Sequence, residues 1–334
     1  MIIEPKRASF FWPVILIGAG AILLLRNLGI LQDFDLNILL RLWPLVLVVI
    51  GLDMILGRRF PWAGALIGLL TIGAAILFLY YAPSMGINPS AGIKTEVLST
   101  PLGNTDRVEY ILDTSYEPVT ISSLSDSSNL FHATIVHRDH INFNVTGDTE
   151  KLVTLSETST ADRWFNLDLG VTGLKWDIGL ASGVPSVINL DGGSGMLKID
   201  LEDIALESLN ANLGSGSSNF KLPVSTTAYT VDIDSGSGAV TMAIPDDTDL
   251  TVTISSSSGA ITLQVPSGVA FKVEVLDDGS GSVHLPTGLD LVQGDGTFEN
   301  STWQTPGFDS ADNQILIRIV DRGSGTIWIN HNTN

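Results

Sequence analysis

Apolar residues follow two regimes along the chain, and the change falls near Pro83. Before it, residues 10–31, 36–56 and 61–82 form three mostly apolar runs of 21 or 22 residues. At 1.5 Å per residue each is about 30 Å long as a helix, the thickness of a hydrocarbon core, so three transmembrane spans are predicted. Residues 83–93, rich in Pro, Gly and Ser, read as a linker. Beyond them the pattern alternates: Tyr229, Val231, Ile233; Val240, Met242, Ile244; Leu250, Val252, Ile254; Ile261, Leu263, Val265. A period of two predicts strands with one buried face.

A glycine signal punctuates these strands. Gly195, Gly216, Gly238, Gly259, Gly281 and Gly325 each close a Gly-Ser-Gly or Ser-Ser-Gly triplet, at intervals of 21, 22, 21, 22 and 44 residues. A fixed period marks a repeat architecture, and Pro223, Pro245, Pro266 and Pro286 end the second strand of successive units. In a β-solenoid the six glycines are stacked corners; in an antiparallel β-meander or sandwich they are hairpin turns. Equal unit lengths are needed only by stacked coils, so an all-β solenoid with 21–22-residue coils is expected over 171–334. Residues 94–170 alternate without the glycine marker and read as a β cap or an irregular start of the array. The stretch 294–313 reads as an inserted loop whose Trp303 and Phe308 are candidate contact aromatics or else fold back over the coil.

Charge separates the same two parts. Residues 1–82 hold six basic and four acidic groups, net +2, whereas 83–334 hold eleven and thirty-two, net −21. A domain this acidic repels phosphate backbones, so no nucleic-acid partner is expected. The chain has no cysteine, which removes thiol nucleophiles, disulfides and Cys-ligated metal centres.

Trp12-Pro13 and Trp43-Pro44 open the first two spans 31 residues apart. Trp favours the headgroup level, and Pro in a first helical turn forfeits no hydrogen bond. Gly64 and Gly68 in the third span permit close helix contact, within the chain or with a partner helix. Asp53 stands beside Arg58 and Arg59 near a span end, a solvated position more than an ion path. The short flanks divide Lys6, Arg7, Arg58 and Arg59 from Arg26, Arg41 and Lys94, a mild bias that puts the N-terminus in the cytoplasm and the β domain outside it.

The Phe-Trp-Pro and Leu-Trp-Pro spans, with Arg58-Arg59 closing the second, resemble the membrane region of LiaF-like bacterial cell-envelope stress proteins. The alternating strands with their Gly-Ser-Gly units are similar to the putative-adhesin and LiaF-type C-terminal β domains. The resemblance implies a multi-pass cell-membrane protein that restrains a membrane histidine kinase, or acts on another envelope protein, through the Trp-Pro faces and Gly64/Gly68.

Candidate chemistry is sparse. His132, His137 and His140 with Asp139 are the densest histidine cluster, but strand parity turns His137 away from the other two. Asp246-Asp247 and Asp277-Asp278 lack the ligand series of a calcium loop. The glycine triplets lie between strands and are followed by no Lys-Ser/Thr, so they are not phosphate loops. A non-enzymatic protein without catalytic residues, metal or cofactor is therefore expected. Its partners are the lipid bilayer and a kinase or envelope protein, with a surface scaffold or adhesin as the second reading.

Overall fold

The computed structural model describes residues 93–332 except 115, 126–127, 139, 159–172 and 277–278, together with helical positions 16–18, 20, 47, 50–51, 66–74 and 77. The strands all belong to one compact unit, Lys94–Ser159 with Gly173–Asn334.

Before residue 159 the strands are β1 (Lys94–Pro101), β2 (Arg107–Thr114), β3 (Val119–Ser123), β4 (Asn129–His137), β5 (His140–Thr146) and β6 (Glu150–Thr158). The middle of the unit follows with β7 (Lys175–Leu180), β8 (Ser186–Gly192), β9 (Leu197–Asp200), β10 (Leu206–Leu213), β11 (Ser217–Lys221), β12 (Tyr229–Ser235), β13 (Ala239–Ala243), β14 (Leu250–Ser256) and β15 (Ala260–Pro266). The last part contributes β16 (Phe271–Val275), β17 (Ser282–His284), β18 (Asp290–Gln293), β19 (Ser301–Gln304), β20 (Ile315–Asp321) and β21 (Thr326–Asn332). They form a 10-stranded sheet, β1-β4-β7-β3-β9-β11-β13-β15-β21-β17, and an 11-stranded sheet, β18-β19-β16-β20-β14-β12-β10-β8-β2-β6-β5.

In the middle every neighbour is parallel and every coil adds one strand to each sheet. Val231 lies beside Leu209 and Val252 in the 11-stranded sheet, and Met242 beside Phe220 and Leu263 in the other. Parallel pairing excludes the meander here, because a hairpin turn would make consecutive strands antiparallel neighbours. The inner residues of each coil, such as Ile233, Val240 and Met242, join one continuous buried core. Each fully buried aliphatic side chain there contributes about 1.5–3 kcal/mol.

Chain order and stacking order part company at both poles. The 44-residue interval reads as further coils laid on in sequence, but β20 and β21 insert between the β14–β15 coil and the β16–β17 coil. Side-chain content explains the exchange. Ile315, Ile317 and Ile319 of β20 are fully buried between two neighbours, whereas β17 has three residues and suits an edge. At the other pole β2 and β3 are flanked by the later β6 and β7, and β1, β4 and β5 close that pole with antiparallel pairs.

The helical positions form the separate unit. Leu16, Ile17, Leu69 and Leu70 are 62–72% exposed, an outward apolar surface suited to lipid. Among the described residues no helix is long and apolar enough to cross a membrane. Most of the spans 10–31, 36–56 and 61–82, with Trp12, Pro13, Trp43, Pro44 and Gly64, lie outside the described residues; Gly68 is helical and buried.

Candidate functional surface

The corner glycines form one column. A Cβ on Gly216 would strike the carbonyl oxygen of Gly195, one on Gly238 that of Gly216, one on Gly259 that of Gly238, one on Gly325 that of Gly259, and one on Gly281 that of Gly325. Gly195 meets Glu117 of the unmarked β2–β3 coil in the same way. None of the six has a left-handed φ, so close approach of backbone to backbone is what requires glycine. The carbonyls they crowd are in use: Gly216 O accepts from Ala239 N (3.2 Å), Gly238 O from Ala260 N (3.1 Å) and Gly259 O from Thr326 N (3.1 Å).

Arg322 is the residue that sequence reading missed. It is 5% exposed; its Nε donates to Gly279 O and its Nη1 to Phe298 O, each at 2.8 Å. It thereby ties the inserted C-terminal coil to the displaced coil and to the 294–313 excursion. The only available signal is that the last triplet alone is preceded by Arg, Arg322-Gly323-Ser324-Gly325.

Of the two readings of Trp303 and Phe308, the structure shows the inward one. They are 9% and 5% exposed, Trp303 packed with Phe298 at 4.9 Å between ring centroids and Phe308 under the Lys272 ammonium at 4.4 Å. The excursion pairs β19 with β16 and folds its aromatics over the end of the core. Trp328 is an exposed aromatic of this pole, 41% exposed and stacked on His284 with ring centroids 3.7 Å apart.

The outer face of the 11-stranded sheet carries a shallow trough of about 420 Å³. Two rows of side chains run along it across the strands. One is Ile111, Asn189, Asn210, Asp232 and Thr253; the other is Asp113, Asp191, Asn212, Asp234 and Ser255. Asn210 Nδ2 donates to Asn189 Oδ1 and Asn189 Nδ2 to Glu109 Oε1, both at 2.8 Å. Partial burial and the neighbouring Asp191 push the Asp113 carboxyl above its usual range. The trough thus sets amide and carboxylate side chains in rows at the ~4.8 Å strand spacing, with carbon atoms forming most of its accessible lining.

The histidines are spread over two strands. His137, buried on β4, places Nε2 3.3 Å from Glu96 of β1, while His132 faces out and His140 begins β5. Asp139, Asp277 and Asp278 lie outside the described residues. Among the described residues no group of three or more His, Asp or Glu is placed to hold a metal ion.

Comparison with known proteins follows the same division of the chain. Residues 10–55 match the LiaI-LiaF-like transmembrane region, and residues 90–243 match the N-terminal domain of toast_rack, DUF2154. The chain thus carries a LiaI-LiaF-like transmembrane region and a toast_rack N-terminal domain. Its LiaI-LiaF-like region precedes its toast_rack domain, and the latter covers the strands from β1 through β13. No curated protein matches the chain. Among solved structures, a "putative cell adhesion protein" from Clostridium sporogenes ATCC 15579 is 21% identical, covering 72% of this chain and 100% of its own, with a TM-score of 0.49. A "putative adhesin" from Bacteroides fragilis NCTC 9343 is 12% identical over 71% of this chain and 97% of its own, with a TM-score of 0.25. A "putative lipid binding protein" from Parabacteroides distasonis ATCC 8503 is 14% identical over 70% and 96%, with a TM-score of 0.30.

Proposed function

We propose that this LiaF-like chain is a non-enzymatic, multi-pass membrane protein that regulates a cell-envelope stress response through a membrane partner such as a histidine kinase. Its acidic β-solenoid stands on the extracytoplasmic face and its spans engage the partner. One observation carries the reading: a LiaI-LiaF-like transmembrane region and a toast_rack domain occur in that order in one chain. Pull-down of the intact protein from membranes recovers a histidine kinase that a chain lacking residues 1–82 does not; equal recovery by both contradicts the proposal. Protease added to intact cells cleaves within 83–334; full protection contradicts the orientation.

A second reading, a membrane-anchored surface scaffold or adhesin-like binding protein, is favoured by the amide and carboxylate rows of the trough. Replacing Asn189 and Asn210 by Ala then abolishes binding to envelope material while kinase signalling persists. Loss of signalling with binding intact favours the regulator instead.

A further inference from the structure

The two outer faces of the β unit differ in charge. Toward the C-terminal pole the 11-stranded sheet turns Asp232, Asp234, Lys272, Glu274 and Arg318 outward. On the 10-stranded sheet the adjacent strands β13, β15, β21 and β17 contain no Asp, Glu, Lys or Arg, although residues 83–334 carry −21. The undescribed stretches before residue 93 and at 159–172 lead into β1 and β7, which stand six and four strands from β13 in this sheet.

Register gives the uncharged face its shape. One row across the four strands reads Thr241, Thr262, Trp328, His284. His284 stacks on Trp328 with ring planes 10° apart and centroids at 3.7 Å, which closes one face of the indole and fixes its orientation. The opposite face looks along the row toward Thr262 and Thr241, whose side chains are too short to cover it, and Trp328 keeps 41% of its surface exposed. Ala239, Ala243 and Ala260 keep the floor beside this slot low. Gln264 and Asn330, register partners one row further on, bring amides to its rim.

This combination suits a sugar ring: a preset aromatic face for its C–H groups, with hydroxyls and amides nearby for its own hydroxyls. Charge selects the kind of glycan. A polyanion is repelled by the domain as a whole, and a polycation is drawn to the acidic rows of the other sheet in preference to this face.

We infer that the outer face of β13, β15, β21 and β17 binds a neutral β-linked glycan, with one ring seated against the free face of Trp328 over Thr262 and the chain running across the strands. A β-linked chain is a flat ribbon, which a level floor of Ala and Thr accommodates. The site lies on the opposite sheet from the trough, and it stands whether or not the trough binds envelope material.

The full chain, in a detergent without a sugar headgroup, is titrated calorimetrically with chitohexaose, a neutral β-linked hexasaccharide, and with the hyaluronan hexasaccharide, which has a carboxylate on every second ring. Chitohexaose binds, and the hyaluronan fragment binds about tenfold or more weakly. Trp328→Ala, and Thr262→Phe, which fills the slot while keeping the indole, each weaken chitohexaose binding about tenfold or more with the denaturation midpoint unchanged. Asn189→Ala combined with Asn210→Ala leaves it as in the parent. Equal affinity of Trp328→Ala and the parent, equal affinity for the two hexasaccharides, or no binding of chitohexaose overturns the inference. Loss of binding on changing Asn189 and Asn210, with Trp328→Ala unaffected, moves the site to the trough and overturns this inference alone. A parent that ignores chitohexaose but has a two-chain mass by light scattering, reduced to one chain by Trp328→Ala, assigns the face to a second copy instead.

Discussion

The middle of the β unit and its poles use the same alternating strands, yet only the middle is stacked in chain order. Between β8 and β15 each coil rests on the one before it, all pairs are parallel, and the glycine column advances one step per coil. At the poles strands are inserted out of order and antiparallel pairs close the stack. Periodic sequence specifies the shape of a coil, and the choice of neighbour falls to whichever strands can fill a central position. The glycine column runs through the middle and the C-terminal pole alike, and the pole adds a buried arginine reaching across the insertion.

The largest effect belongs to the column. Gly238→Ala drives a methyl group into the Gly216 carbonyl and costs about 3 kcal/mol, seen as a lower denaturation midpoint of the whole unit. Gly183→Ala, with open space around the new carbon, stays within about 0.5 kcal/mol. Equal effects would remove close approach as the reason for glycine.

Arg322→Met comes next. It leaves the carbonyls of Gly279 and Phe298 without their buried donor and costs about 2–3 kcal/mol. Hydrogen exchange should rise first in β16, β17 and β19 while β8 to β13 stay protected. Uniform loosening would contradict the assignment of Arg322 to this pole.

Asn189→Ala breaks two side-chain hydrogen bonds on the outer face. Solvent replaces them in part, so the loss is about 1 kcal/mol, measured by urea titration.

Asp113→Asn acts in the opposite direction. Because burial and Asp191 raise the Asp113 pKa on folding, its favourable contribution is complete below the ordinary carboxylate range and is lost as pH rises through the raised value. The variant is therefore slightly more stable than the parent at neutral pH, by less than about 0.5 kcal/mol at this largely solvated site. The advantage disappears in acid; one that grows in acid would contradict it.

Much of the middle was legible. Tyr229, Val231 and Ile233 alternate as they are buried, and glycines 21 or 22 residues apart stack as a parallel array needs. The insertion of β20 and β21 was not, because Gly281 and Gly325 keep the same phase in either stacking order. For Trp303 and Phe308 the loop sequence allowed either an outward or an inward orientation, and the open end of the core shows why they turn inward. The trough rows were hidden because Asn189, Asn210 and Asp232 meet only once their strands are adjacent.

The insertion at the C-terminal pole is the central structural claim, and paired cysteines on the outer face address it. Thr253 is the register partner of Arg318, and Arg318 of Glu274, which puts Glu274 two strands from Thr253. Adjacent strands lie about 4.8 Å apart and next-nearest strands about twice that, so only the first separation suits a disulfide. Thr253→Cys with Arg318→Cys should form an intramolecular disulfide readily, and Thr253→Cys with Glu274→Cys should not. The reverse result would mean that the coils stack in the order of the chain.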